Sequence, residues 1–289
     1  MSVRPRFQRV VIAGLGLLGG SLALALKQRS LAGRVVAWGR DLSRLRPAVP
    51  AGLVDEVSVD VSAARGADLV VLCATAAQYE QQLRQLAGAA PAGCLVTDVA
   101  SVKGASVARW HKAAGPLRFV ASHPMAGGEK TGWRNAKAGL FEGAACLMTP
   151  LPRTDRSAVL AVGTLWQDLG MDVALCSPEE HDRLVGLVSH LPHAAAFALA
   201  AATARLGSSE DFQWAGKGWF DTTRVAASDP SLWAGIFLHH PRRMERSLAL
   251  VEAELGRLRA LLKAGKRPAL EAWLERAAAF RRSTEKGGK

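Results

Sequence analysis

The sequence has one tyrosine in 289 residues, no Cys-x-x-Cys pair among four cysteines, and no apolar run near the ~20 residues of a membrane span beyond its N-terminal end. Each scarcity removes a class of protein. Cys73, Cys94, Cys146 and Cys176 are scattered, with no histidine at metal-ligand spacing, so neither a disulfide framework nor a metal site is expected. Reduced thiols in a cytoplasmic protein are the expectation instead. The basic residues are not interleaved with aromatics, so the formal charge of +12 does not read as a nucleic-acid surface. From Ala260 to Lys289 eight Lys/Arg stand against three Glu, so much of the excess lies in a solvated tail, away from any motif. Arg4, Arg6 and Arg9 before apolar residues up to Ala25 imitate a signal peptide. Cleavage there would destroy a glycine motif that begins at Gly14, so neither export nor membrane insertion is expected.

What is present begins with a change of pattern near residue 176. Before it, short apolar runs alternate with helical patterns, as parallel β/α units do. The strands predicted are Arg9–Ala13, Val35–Trp38, Asp68–Cys73, Cys94–Asp98, Phe119–Ser122, Cys146–Thr149 and Asp172–Leu175. Ser177-Pro178-Glu179-Glu180 then reads as a helix start, with Ser177 as N-cap and Glu180 completing a capping box. Only helices follow, including Arg242–Leu262 and Pro268–Arg282, and Lys286–Lys289 reads as disordered. The expectation is an α/β Rossmann-like domain with a mainly parallel sheet over 1–176 and an all-α domain over 177–289.

Gly14-Leu15-Gly16-Leu17-Leu18-Gly19 follows the first strand and opens a helix over Leu17–Arg29, the setting of a dinucleotide fingerprint. Gly14 makes the turn, Gly16 admits the pyrophosphate close to the backbone, and Gly19 lets helix and strand pack, with Leu17 and Leu18 at the phosphate-binding helix start. Ala74 and Thr75, just past the third predicted strand, are further cofactor candidates. The residue that reads the cofactor's 2′ position falls at the end of the second strand, where Gly39 and Arg40 stand in place of an acid. A guanidinium there favours NADP; Asp41, one residue later, keeps NAD open.

Four further segments carry chemistry. Asp98-Val99-Ala100-Ser101-Val102-Lys103 and His123-Pro124-Met125-Ala126-Gly127 each follow a strand, at the carboxyl edge where the nicotinamide lies, with His123 in a glycine-bounded loop. Ser189-His190-Leu191-Pro192-His193 sits in the first long helix, with Ser189 and His193 on one face and Pro192 able to free a carbonyl. Asp221-Thr222-Thr223-Arg224 offers a guanidinium fork for a carboxylate, ahead of Trp233. Lys103 reads as either an anion contact or a solvated lysine, His190 as structural, and His181, His239 and His240 as surface residues.

With the glycine loop, these segments in this order resemble the prephenate and arogenate (cyclohexadienyl) dehydrogenases of tyrosine biosynthesis, from Val10 to about Phe237. The resemblance implies a helical dimerisation domain giving a homodimer, with the active site in the cleft between the domains. It implies NAD(P)-dependent oxidative decarboxylation of prephenate to 4-hydroxyphenylpyruvate, or of arogenate to tyrosine. His123 would be the general base toward the ring hydroxyl. Ser101 would hydrogen-bond the same hydroxyl and help fix the imidazole tautomer. Arg224 would hold the ring carboxylate, Glu129 would help close the cleft, and Trp233 would be a substrate-side aromatic on a loop from the partner subunit. A histidine at 193, beside Ser189, points to prephenate over arogenate. Lys217, in Gly216-Lys217-Gly218-Trp219, departs from the family's glycine run near the substrate mouth. No appended regulatory domain is expected. A β-hydroxy-acid dehydrogenase is the main enzymatic rival, but it needs a lysine between Ser189 and Ala200, where none stands. A catalytically dead NADP sensor would have no reason to keep Ser101, His123, His193 and Arg224 together.

Overall fold

Valine-rich runs buried on both faces build the first sheet. In the computed structural model, which describes residues 5–285, its strands are β1 (Phe7–Ala13), β2 (Ala32–Trp38), β3 (Glu56–Ser58), β4 (Leu69–Leu72), β5 (Leu95–Asp98) and β6 (Arg118–Val120). They are all parallel, in the order β3-β2-β1-β4-β5-β6, the doubly wound order whose switch point lies between β1 and β4. Alternation along β1 explains the burial: Val10 and Ile12 enter one core, Val11 and Ala13 the other. Helices cover both faces: α1 (Leu17–Gln28), the single-turn α2 (Leu42–Leu45), α3 (Ala76–Ala89), α4 (Ser106–Ala114) and α5 (Arg156–Asp168). Arg4 and Lys286–Lys289 lie outside the described residues.

Three departures from the predicted strands matter. Glu56–Ser58 was too short and too polar to stand out in the sequence, yet it forms the edge strand on β2. The predicted run Phe119–Ser122 is divided between two sheets, because after β6 the chain turns at Ala121 into β7 (Ser122–Pro124). There β7 pairs antiparallel with β8 (Ala145–Met148), which pairs parallel with β9 (Asp172–Leu175). Polar side chains supply the bonds at this bend. The Ser122 N–H donates to Asp98 Oδ1 at 2.9 Å, and Thr97 Oγ1 donates to the Val120 carbonyl at 2.8 Å. As a result His123 is the middle residue of a strand and not of a loop; the glycine-bounded loop starts only after Pro124.

The change from strands to helices falls between Leu175 and Pro178. Next come α6 (Pro178–Val185), a π-helical turn at Gly186–His190, α7 (Leu191–Thr203), α8 (Lys217–Thr223) and α9 (Pro230–His239). Ser177 caps α6 by accepting the Glu180 N–H at 3.1 Å, but the Glu180 carboxylate turns to Arg183 and does not complete a capping box. Contrary to the expectation from apolar runs, the continuous helix Pro178–Thr203 is long and apolar enough, by length and composition, to cross a membrane. It also carries buried His181, Asp182 and His190.

By compactness the chain forms two units, Met1–His239 and His240–Lys289. The second unit is a helical hairpin, α10 (Pro241–Ala264) and α11 (Arg267–Ser283), turned by Gly265 at φ +66°. Its helices are joined by Trp273 Nε1 donating to Glu254 Oε2 at 2.9 Å.

The turn from β1 to α1 depends on two glycines for different reasons. A Cβ on Gly19 would lie 2.1 Å from the Gly14 carbonyl oxygen, whereas a Cβ on Gly16 would meet no protein atom within 4 Å. Gly19→Ala is therefore expected to cost at least about 1–3 kcal/mol of stability in denaturant unfolding. Gly16→Ala should stay within about 0.5 kcal/mol of wild type while weakening dinucleotide binding at least about tenfold in a titration; equal stability losses would refute the assignment.

Candidate active site

The glycine turn forms a cradle at the switch point. Gly14 sits at φ +107°, and a Cβ there would lie 2.8 Å from the Ala74 nitrogen, so the β1 turn and the loop after β4 touch backbone to backbone. Thr75 ends that loop and precedes α3 with no side-chain capping bond. Gly16 precedes α1 in an extended conformation, also uncapped, and the first turn of α1 has no acid. The open space over Gly16 and the unpaired N–H groups of Leu17 and Leu18 fit a pyrophosphate. At the end of β2, Gly39 donates its N–H to the Ser58 carbonyl at 3.0 Å, and the Arg40 side chain is exposed. Asp41 is occupied locally. Its Oδ1 accepts the Ser43 N–H at 2.9 Å and hydroxyl at 2.6 Å, capping α2, and its Oδ2 meets Arg44 at 3.2 Å. The Ser43 hydroxyl bond holds the Asp41 carboxyl below its ordinary value.

Beyond β5 lies a buried polar cluster. Lys103 Nζ is wholly buried, donating to Asp98 Oδ2 at 2.8 Å and to the Ala100 carbonyl at 2.7 Å. Its ammonium is thus engaged with Asp98 and Ala100 inside the chain, and it is not a solvated lysine. His123 is 6% exposed, and its Nδ1 lies 2.8 Å from His181 Nε2. His181, expected at the surface, is fully buried, with its Nδ1 2.8 Å from Asp182 Oδ1. That oxygen also accepts the Lys103 backbone N–H at 3.0 Å. Burial first, then the neighbouring His181 ring and the Lys103 ammonium, push the His123 imidazole well below the ordinary histidine value, so it is neutral near pH 7. Burial likewise lowers His181, against the opposing pull of Asp182. Ser101 is half-buried in the turn after β5. It does not cap α4, which starts at Ser106 behind Ala105, and the partner on His123 Nδ1 is His181 and not Ser101.

The outer residues form two pairs. His193 Nδ1 lies 2.8 Å from the Ser189 carbonyl, which is where the π-helical turn before Pro192 disturbs the ladder. Burial lowers His193, partly offset by that bond, so the neutral ring donates from Nδ1 and presents Nε2 as an acceptor. Trp233 lies on α9 and not on a loop, and it stacks on His193 of its own chain with ring centroids 3.6 Å apart. Glu129 and Arg224, 95 residues apart, meet at 3.3 Å, both partly exposed. Lys217 is exposed and paired with Asp221 at 2.5 Å, so its charge is partly answered within α8.

A six-stranded parallel sheet, a glycine cradle at its switch point and a buried neutral imidazole past β6 define a dinucleotide-dependent dehydrogenase. The family model for the prephenate dehydrogenase nucleotide-binding domain matches residues 22–175, and that for the prephenate dehydrogenase dimerization domain matches 177–276. The chain belongs to the prephenate dehydrogenase family. It is 35% identical to the prephenate dehydrogenase of Bacillus subtilis over 80% of its own length and 64% of that protein, so it spans just under two thirds of that relative. It is 30% identical to the cyclohexadienyl dehydrogenase of Zymomonas mobilis over 88% of each chain. The crystal structure of prephenate dehydrogenase from A. aeolicus, in complex with hydroxyphenyl propionate and NAD+, superposes with a TM-score of 0.88 at 31% identity, covering 99% of this chain and 100% of that one.

Two site residues were missed in the sequence: His181 and Asp182. Their only local signal was adjacency on the first turns of a capped helix, which surface residues share. Because the Asp98–Lys103 pair is wholly buried, Lys103→Met should leave an uncompensated carboxylate and destabilise the chain by about 3–5 kcal/mol in denaturant unfolding. A loss below about 1 kcal/mol would show that the pair does not hold this region together.

Proposed function

We propose that the chain catalyses the oxidative decarboxylation of prephenate to 4-hydroxyphenylpyruvate, with NADP+ as the preferred oxidant. The observation that carries the reading is His123: a neutral imidazole past β6, on the side of the sheet that carries the glycine cradle. When bound, the nicotinamide supplies the hydride acceptor. His123 takes the ring hydroxyl proton, a role worth roughly 10²–10⁴-fold, and Ser101 hydrogen-bonds the same hydroxyl. Arg224 binds the ring carboxylate by exchanging Glu129 for it, and Glu129 otherwise braces the mouth. Residues 177–289 form the substrate and dimerisation part. Support for a homodimer comes from the description of the matching family model and from exposed Leu187, Val188, Trp214 and Phe220 on its helices. Neither a nucleic-acid partner nor a membrane enters this reading, and the four free cysteines fit a cytoplasmic enzyme.

Arogenate is the second reading, and His193 favours it. With its Nδ1–H spent on the Ser189 carbonyl, the neutral ring offers only an acceptor, which suits the ammonium of arogenate better than the keto-acid oxygens of prephenate. An assay of prephenate and arogenate, each with NAD+ and NADP+, separates the readings. Reduced cofactor is expected with prephenate and NADP+ first; its formation with neither substrate would overturn the function. The 2′-phosphate argument rests on exposed Arg40 and on the local engagement of Asp41. Arg40→Ala should therefore lower kcat/KM for NADP+ about tenfold or more relative to NAD+, and an unchanged ratio would refute it.

A further inference from the structure

The rings of His123 and His181 meet nitrogen to nitrogen at 2.8 Å. A contact that short holds one proton, since two lone pairs would repel and two N–H groups would collide. The next residue decides which ring supplies it. Asp182 Oδ1 already accepts the Lys103 N–H and lies 2.8 Å from His181 Nδ1. A carboxylate only accepts, so the His181 proton is on Nδ1. Both rings are held below the usual histidine range by burial, so each carries a single ring proton near neutral pH. His181 Nε2 is then a lone pair, and the proton between the rings belongs to His123 Nδ1.

We propose that His181 and Asp182 are positioning residues that lock His123 in its Nδ1–H tautomer, so that Nε2 is the atom that takes the substrate hydroxyl proton. The inference rests on the reading of His123 as general base. As the O–H bond breaks, its electron pair forms the ring C=O, the hydride leaves the same carbon for the nicotinamide, and the proton bonds to Nε2. His123 is now an imidazolium, but its Nδ1–H stays on His181, so no proton moves along the relay. Loss of CO₂ leaves its bonding pair in the ring and the charge on the oxygen, which recovers the proton from Nε2. Asp182, acting through His181, steadies the transient cation, as the aspartate of a hydrolase triad does for its histidine. Lys103 and His190 face His123 and oppose that cation; Asp182 favours it, and Asp98 acts likewise on His181. The relay is anchored at its far end, because the Lys103 backbone holds Asp182 while the Lys103 ammonium is fixed to Asp98.

Nitrogen-15 NMR of the histidine rings in the full chain, with His123 assigned by loss of its signals in His123→Asn, reads the tautomers without substrate. Protonated Nδ1 and bare Nε2 are expected for both His123 and His181, and a proton on His123 Nε2 overturns the proposal. In turnover, His181→Phe removes the acceptor and should lower kcat about 100-fold or more with KM within about threefold. His181→Gln, whose amide oxygen can accept the same proton, should recover at least about tenfold of that loss. Asp182→Asn keeps an acceptor for Lys103 but removes the charge. It should lower the pKa of the base and move the acid limb of kcat/KM to lower pH. Equal losses for Phe and Gln with an unmoved acid limb would also overturn the relay. If wild type consumes neither prephenate nor arogenate while the NMR gives Nδ1–H, the substrate reading fails and the tautomer lock stands.

Discussion

A single carboxylate taken wholly out of water, that of Asp98, organises the centre of this protein. At the end of β5 it accepts the Lys103 ammonium and the Ala100 N–H on one oxygen and the Ser122 N–H on the other. A buried charge is tolerated only when so answered, and answering it fixes three segments at once. The Ser122 bond turns the chain from the first sheet into the second and sets His123 on β7. The Lys103 bond folds the loop after β5 back on itself, so that its backbone N–H meets Asp182 on α6. The first helix after the strands is thereby docked by the loop that also carries Ser101.

Burial then divides the titratable groups by task. The inner set, His123, His181, Asp182, Asp98 and Lys103, is desolvated, hydrogen-bonded and stiff, which suits a group that must keep one tautomer and one pKa through a reaction. The outer set is different in kind. Glu129 and Arg224 are partly exposed, and a pair of that sort contributes little to stability. His193 is intermediate: half-buried, stacked on Trp233 and tied to a helix carbonyl, so its ring orientation is set.

Much of this was legible in the chain. The glycine loop, the strands of the first sheet other than β3, the capped start at Ser177 and the pairing of Ser189 with His193 follow from local rules: turn geometry, apolar runs bounded by breakers, side-chain capping and helical spacing. The residue after Gly39 could be read as Arg40 because β2 ends where its apolar run ends. Family resemblance added the order of the motifs and named His123, Ser101, Arg224 and Glu129 as a set.

What the sequence could not express is partnership across distance. Nothing near His123 shows that it lies in a strand, because the bend at Ala121 depends on Thr97 and Asp98, 23 and 24 residues away from the groups they bond. Nothing near Lys103 marks it as buried, since a lysine's burial is decided by whether a carboxylate waits for it. His181 and Asp182 look like surface residues on a polar helix start until tertiary packing seals them against β7 and the β5 loop. Local rules act over one turn or one strand, and they determined most of the elements and the glycine turn. Desolvation and hydrogen bonding between distant segments are properties of the packed chain, and they alone decided that His123 meets His181 beside Asp182 and that the Asp98–Lys103 pair lies out of water.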